Sequence, residues 1–141
     1  MTKRTVKWFI KVEVEQGPTL TSSGKINSDA IEYVRVELMK EDNKETIVSI
    51  QPGELDMIDF MLIKSDKYGN DPKNQLSYRF SEGNKEQDHS ESIILDKDHF
   101  LTSNELIKLF KKAPKDIKFT NKTTENVVVD VIIARKAVKG G

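Results

Sequence analysis

Two carboxylates and a histidine within four residues form the part of this sequence closest to a metal or catalytic site. Asp96, Asp98 and His99 carry oxygen and imidazole ligands. Short acidic turns are common before helices, and we favour a solvated turn here. The other histidine, His89, lies in a strongly polar stretch, and neither Gly-x-Ser-x-Gly nor His-Glu-x-x-His occurs. We therefore predict no catalytic residue, no bound metal and no cofactor.

The segment from Asp66 to Asp71 places oxygen ligands around Gly69 and has some of the character of a calcium loop. The spacing of an EF-hand is not met, and no acid stands where the closing bidentate ligand should be. We expect a Gly-Asn turn between two strands and leave a calcium site near residues 66–71 open.

The alternative to a protein with no reactive or binding site is one that binds a small molecule. A β-sandwich can hold a ligand at its end or between its sheets. The open end of the predicted fold lies near residues 66–71 and 96–100. The side chains to test there are Tyr68, Arg79, Asp98 and His99.

Composition excludes several further classes of protein. The chain has no cysteine, which excludes disulfides, thiolate metal sites and cysteine nucleophiles. Its 23 basic and 23 acidic residues give no net charge, and they alternate along most of the chain. Nucleic-acid binders usually carry a basic excess, so we predict no nucleic acid as partner. The glycines are isolated and do not form a phosphate-binding loop.

The N-terminus is charged but is not followed by the apolar stretch of a signal peptide. The chain also lacks an apolar run near the roughly 20 residues of a membrane helix. We expect a soluble, cytoplasmic protein that does not bind membranes.

Alternating apolar and polar side chains predict strands in the first half of the chain. Residues 5–15 should bury one face and expose Phe9, and the buried face contains Val6, Trp8, Ile10, Val12 and Val14. Residues 16–29 are rich in Gly, Pro, Ser and Asn and indicate a loop. Residues 30–39 and 45–51 should form a hairpin around the polar turn 40–44.

The second half predicts a central strand at 55–63, further strands at 75–81, 92–95 and 115–121, and one helix. The helix, near residues 103–112, follows a capping box formed by Thr102 and Glu105. Its expected core face contains Leu106, Leu109, Phe110 and Ala113. Pro114 ends it.

The closing run 126–134 is apolar on both faces of a strand. One face has Val127, Val129, Val131 and Ile133, and the other has Val128, Asp130, Ile132 and Ala134. The second face packs either under the helix or against another subunit. Asp130 distinguishes the two, because a buried carboxylate needs a hydrogen-bond partner.

About eight strands with short turns and one helix predict a mainly β fold. We expect a single domain over residues 1–141, built as an antiparallel β-sandwich or a flattened barrel. The helix should close one open end.

Several segments together resemble a small, uncharacterised family of bacterial β-rich proteins. They are Ile50-Gln-Pro-Gly53, Phe60-Met-Leu-Ile-Lys-Ser65, Tyr68-Gly69, Leu76-Ser-Tyr78, the Leu-rich helix, Lys118-Phe-Thr-Asn121 and the closing Val-Asp-Val-Ile-Ile-Ala-Arg135. The resemblance covers residues 45–137 and implies a compact β fold with no assigned activity.

We interpret the protein as a non-enzymatic binding or assembly module that associates with itself, with a dimer as the first expectation. The surplus of apolar strand faces is the reason. The predicted interface residues are Phe9, Met61, Ile63, Val128 and Ile132. The alternative is an enzyme or small-molecule binder with an unmarked site at one end of the sandwich, and a third option is a component of a secreted or phage-derived assembly.

Overall fold

Ten strands and one short helix make up the described part of the chain. The computed structural model describes residues 4–40, 42–50, 57–69, 71, 73–81, 92–110 and 116–135. The strands are β1 Arg4–Glu13, β2 Thr19–Ser28, β3 Ala30–Leu38, β4 Asp42–Ser49, β5 Ile58–Ser65, β6 Leu76–Ser81, β7 Ile93–Ile94, β8 His99–Leu101, β9 Asp116–Asn121 and β10 Val127–Arg135. The helix, α1, is Asn104–Ile107, and a 3₁₀ turn over Lys108–Phe110 continues it.

Two four-stranded antiparallel sheets face each other. The first sheet has the order β3-β10-β5-β8 and the second has the order β4-β9-β6-β7. The hairpin β1–β2 is a separate two-stranded sheet. The predicted mainly β, antiparallel sandwich is confirmed. Each sheet has two open edges within the described strands, so the fold is sandwich-like and does not form a closed barrel.

The interior is filled by alternate residues of the inner strands, as the sequence pattern predicts. Val127, Val129, Val131 and Ile133 of β10 are all buried in one apolar cluster. Ile117 and Phe119 of β9 and Leu76, Tyr78 and Phe80 of β6 oppose them from the second sheet. β10 and β5 each have a neighbour on both sides, so the predicted central position is confirmed for residues 58–63 of the run at 55–63, while residues 55 and 56 lie outside the described residues.

The predicted hairpin between residues 30–39 and 45–51 is wrong. β3 pairs with β10 in the first sheet, whereas β4 pairs with β9 in the second sheet. The short polar connection therefore carries the chain from one layer of the sandwich to the other. Sequence alternation identifies both strands but contains no information on which partners they choose.

The segment predicted as loop, residues 16–29, is mostly the strand β2. It pairs with β1 in unbroken register from Arg4↔Ser28 to Glu13↔Thr19. Its Ser and Thr side chains suit an exposed ribbon, where few positions need to be apolar. Only the connection around Gly17 and Pro18 is a turn, closed by a hydrogen bond from Gly17 N to Val14 O at 2.8 Å.

The hairpin crosses the outer face of the first sheet at one end. Its base is held at β10, because Ser28 Oγ and Asp29 N both donate to the carbonyl of Arg135. Trp8 then contacts Phe100 of β8, with ring centroids 5.9 Å apart. Phe60 and Ala134 are buried but lie outside the interior cluster, which fits a cover on this outer face. Three strand-to-strand spacings of about 4.8 Å separate β3 from β8, so this sheet is only about 14 Å wide.

The far half of the hairpin therefore extends beyond the β8 edge. Trp8 and Gly24 are partly buried over the sheet, but Val12 and Val14 are more than half exposed. The prediction that all apolar residues of the first strand face the core is wrong for these two and for Ile10, which is 36% exposed. The alternation marks one face of β1 correctly, but the sheet is too narrow to cover its whole length.

The helix closes one end of the sandwich but with a different face from the predicted one. Ile107 is fully buried and Phe110 packs on Phe80 at 4.7 Å between ring centroids, whereas Leu106 and Leu109 are exposed. A single α turn followed by a 3₁₀ turn places residues three apart on the same side. The N-cap is Ser103, without a side-chain cap bond, so the Thr102 capping box is wrong. Ala113 is outside the described residues. Within those residues, no helix combines the length and apolarity needed to cross a membrane.

Candidate functional site

Three of the four predicted ligand-end residues lie together at one end of the sandwich. Tyr68 follows β5 in the loop after Ser65, and Asp98 and His99 begin β8, the neighbour of β5. The Tyr68 hydroxyl accepts from Ser65 N at 3.0 Å and donates to a carboxylate oxygen of Asp98. Burial and the hydrogen bond to Asp98 raise the pKa of Tyr68 to about 12. The phenol therefore stays protonated and acts as a bridge between loop and strand.

His99 joins the two sheets. Its ring faces inward from β8, and its Nδ1 lies 2.7 Å from the hydroxyl of Tyr78 on β6. Burial lowers the pKa of His99, opposed by the charges of Asp96 and Asp98, and burial also raises the pKa of Tyr78. With a protonated phenol and a neutral imidazole, the Tyr78 hydroxyl donates to Nδ1.

This arrangement is poorly suited to catalysis. Tyr78 is almost completely buried, so a substrate cannot reach its oxygen. The Nε2 atom of His99 lies 3.9 Å from Asp96, beyond hydrogen-bond distance. A neutral imidazole is a competent base, but the Nδ1 atom of His99 is already occupied by the Tyr78 hydroxyl. The hydrogen bond between Tyr78 and His99 joins the two sheets, and we call this pair the Tyr78–His99 clasp.

Arg79, the fourth predicted residue, lies elsewhere. It precedes Phe80 on β6 and faces away from Tyr78, on the outer side of the second sheet. Its Nε and Nη2 donate to the two carboxylate oxygens of Glu45 at 2.6 and 2.7 Å. This bidentate pair spans β9 and ties β6 to β4. Arg79 therefore cannot belong to a ligand end formed by Tyr68, Asp98 and His99.

The loop at 66–71 uses its carboxylates for its own structure. Asp66 accepts from Val128 N at 2.8 Å, and Asp71 accepts from Lys73 N at 2.9 Å. The described residues contain no group of three acidic or histidine side chains that could hold a metal ion. A cavity of about 210 Å³ borders the loop at Tyr68, Gly69 and Thr123. Small-molecule sites usually start at about 300 Å³.

The predicted interface residues divide into two groups. Met61 and Ile63 are 1% and 0% exposed and lie in the interior, so neither can contact a partner. Their strand is apolar on both faces, and the sequence alone does not show which face is inside. Phe9 is exposed, and Val128 and Ile132 are half-buried on the outer face of the first sheet.

Asp130 lies between Val128 and Ile132 on that outer face, not beneath the helix. It accepts from the hydroxyl of Tyr33 at 2.7 Å and from Arg35 Nε at 2.8 Å, both on β3. The hydrogen bond from Arg35, with that from Tyr33, lowers the pKa of Asp130. The first of our two options for this face is therefore wrong: α1 packs on β5 and β8 instead.

The hairpin carries a group of exposed apolar side chains. Direct cross-strand partners share a face, which places Ile10, Val12 and Leu20 on one side of the ribbon. Val14 follows at the next alternate position, just after β1, where its N–H donates to the carbonyl of Pro18. We call these four residues the hairpin stripe. All four are exposed, with Leu20 at 68%. The stripe continues the apolar face that begins at Trp8, where the sheet still covers it.

Sequence reasoning missed the partner of His99 and the second half of the stripe. The pattern of residues 75–81 predicts a strand but does not identify a partner for the Tyr78 hydroxyl, which needs one once it is buried. Leu20 was assigned to a loop, although Leu20, Ser22, Gly24 and Ile26 alternate with polar residues as in a strand. Searches against protein families, curated proteins and solved structures find no match for this chain.

Proposed function

We propose that this protein is a non-enzymatic assembly module that associates with a second copy of itself through the hairpin stripe. One observation carries the proposal: four apolar side chains extend past the sheet on a rigidly paired hairpin and have no cover among the described residues. Contiguous exposed apolar surface of this kind is typical of protein interaction sites.

The distribution of charge favours a second copy as the partner. Between Val6 and Val14, the charged residues of β1 are Lys7, Lys11 and Glu13, and they all lie on the face opposite the stripe. Lys25 of β2 lies directly across from Lys7 on that same charged face. Two stripes can therefore pack against each other around a two-fold axis without burying a charge. The chain has no net charge to oppose the approach.

The hairpin contact alone should be weak. Full burial of a Val, Leu or Ile side chain contributes roughly 1.5–3 kcal/mol, and each stripe residue is only about half exposed. The sum for two stripes is comparable to the roughly 4–15 kcal/mol that association costs. Association should therefore appear only at high protein concentration.

The rest of the molecule favours a binding role over an enzymatic one. Tyr78 is buried where it meets His99, and the cavity beside Tyr68 is small, at about 210 Å³. A cysteine-free chain suits a reducing compartment, and we place the assembly in the bacterial cytoplasm.

Light scattering over a wide concentration range tests the proposal. The mass of the wild-type protein should rise with concentration, and Leu20→Lys should reduce that rise by placing a charge on the stripe. Thr21→Lys is the matched control, because the neighbouring residue faces the charged side of the ribbon. A wild-type protein that stays monomeric at millimolar concentration would overturn the proposal.

A further inference from the structure

Among the strands that the structure describes, β3 has a partner on one side only. β3 is nine residues long and forms one edge of the first sheet, and no described strand pairs with its outer side. Proteins usually protect such edges with charged side chains, lysine above all, with proline or with a bulge, and β3 uses only charges, at Glu32, Arg35 and Glu37. β3 contains neither lysine nor proline, and its nine residue pairs with β10 are unbroken. The edge is therefore a regular template for another strand.

The side chains along this edge have a self-complementary order. On the outer face, Tyr33, Arg35 and Glu37 follow one another at every second position, and Met39 comes next after the strand end. All four are exposed. A large apolar residue stands at each end, with one basic and one acidic residue between them. An antiparallel copy of this sequence has the same order reversed.

We propose that two copies of the chain pair their β3 strands antiparallel about a two-fold axis through Val36. This register places Arg35 opposite Glu37 of the partner subunit, twice by symmetry, and Tyr33 opposite Met39 of the partner subunit. It also places Glu32 opposite Lys40 of the partner subunit. Cross-strand pairs of opposite charge and of large apolar residues stabilise an antiparallel ladder.

Neighbouring two-fold registers are worse. An axis through Arg35 places two arginines opposite each other, and an axis through Glu37 does the same with two glutamates. An axis through Val34 avoids like charges but forms no ion pair between Arg35 and Glu37. The existing bonds from Arg35 to Asp130 use Nε and Nη2, and a guanidinium has five N–H donors in total. Arg35 can therefore keep Asp130 and still bind a second carboxylate.

This second contact rests on the proposed self-association and adds to it. The hairpin stripe extends past the β8 edge, on the opposite side of the first sheet from β3. The two surfaces therefore do not compete. A chain with two different two-fold contacts forms assemblies larger than a dimer, because each copy can bind one neighbour through each surface.

Charge exchange in a hairpin variant isolates the β3 contact. Leu20→Lys should leave a dimer held by β3 alone, measured by light scattering. Adding Glu37→Arg should convert it to a monomer, since Arg35 then faces an arginine. Adding Arg35→Glu together with Asp130→Asn, which removes the carboxylate that Arg35 binds within its own chain, should restore the dimer, because both pairs across the two-fold axis again have opposite charges. Thermal melts check that each variant is folded.

Cysteine cross-linking tests the register directly, because the natural chain has no cysteine. A mixture of Arg35→Cys and Glu37→Cys proteins should form a disulfide-linked dimer under mild oxidation. Either protein alone should not, because its two cysteines are diagonal across the strands and too far apart for good disulfide geometry. Ile47→Cys, exposed on the edge strand β4 of the second sheet, is the control and should remain unlinked.

The outcomes separate the two proposals. A wild-type protein that is monomeric at all concentrations overturns both. A wild-type protein that associates while the Leu20→Lys variant is monomeric supports the hairpin contact and overturns the β3 contact. Association that is unaffected by Leu20→Lys but lost with Glu37→Arg overturns the hairpin contact alone. A mixture that fails to cross-link while the Leu20→Lys variant is dimeric overturns the proposed register.

Discussion

β1 and β10 have almost the same apolar alternation and opposite surroundings. Each has a valine or isoleucine at every second position over most of its length. β10 pairs with β3 on one side and β5 on the other, and Val131 is 1% exposed. β1 pairs with β2 only, and Val12 is 51% exposed. The alternation of a strand therefore determines which side chains share a face, while the topology determines whether anything covers that face.

The hairpin is partly buried where it meets the sheet and exposed beyond it. Trp8 packs against Phe100, which in turn packs against Phe60 at 5.4 Å. Two residues further along β1, the cover ends at the β8 edge. The sequence of a single strand contains no information on the width of the sheet that lies beneath it. The apolar surface that is available to a partner therefore lies on the hairpin beyond the β8 edge.

The same substitution on the two strands should give the largest contrast. Val131→Ala removes buried methyl groups from the interior and should lower the free energy of unfolding by roughly 2–4 kcal/mol. Val12→Ala removes the same groups from the stripe and should change it by less than about 0.5 kcal/mol. Urea denaturation at low protein concentration, where association does not contribute, measures both. Equal losses would show that the stripe is covered within one chain.

Gly24→Ala should separate the hairpin from the sheet. A Cβ atom at this position would overlap the ring of Trp8, which lies across Gly24. The ring must then shift away from Phe100, at a cost of about 1–2 kcal/mol. Trp8 is the only tryptophan, so its fluorescence should move toward the spectrum of a more exposed indole. Ser23→Ala is the control, and an unchanged spectrum in the Gly24 variant would contradict the packing described here.

The sequence predicts the strands of the two four-stranded sheets well because their apolar residues alternate with polar ones and the apolar face is buried. Ile117, Phe119, Leu76 and Tyr78 alternate with polar residues and are buried as expected. Their faces follow from the two-residue period alone. The assignment of β2 as loop failed because Thr19–Ser28 has few apolar residues, and an exposed ribbon requires few. The sequence also does not predict which strands pair, because β3 and β4 are neighbours along the chain but belong to different sheets.

In the candidate site, too, the sequence predicts local features well and contacts between distant strands poorly. Tyr68, Asp98 and His99 were grouped correctly because they flank β5 and β8, which lie side by side. Arg79 was misplaced because one residue along a strand reverses the side on which a side chain lies. The hydrogen bond between Tyr78 and His99 connects two sheets and depends on their stacking. No local pattern in the sequence encodes that distance.

The clasp at the end of the sandwich should make stability depend on pH. Burial lowers the pKa of His99 below its ordinary value of 6.5 in the folded protein. The unfolded chain therefore binds more protons in this range, and stability falls as the pH drops below about 6.5. His99→Gln should flatten this dependence between pH 7 and 5, measured by thermal melts. His89→Gln is the control, and retention of the full dependence in the His99 variant would exclude the clasp as its source.

The outer face of the first sheet should be the least sensitive region, although it carries a hydrogen-bonded ion pair. Asp130 lies beside partly exposed Arg35 and Tyr33, and exposed pairs contribute little because water and salt screen them. Asp130→Asn should therefore move the urea midpoint no more than Val12→Ala does. The bond from Arg35 lowers the pKa of Asp130, so any contribution is present above its ordinary value of 3.8 and lost as the pH falls below it. A loss as large as that of Val131→Ala would show that this face is covered like the interior, and the comparison between the two strands would then fail.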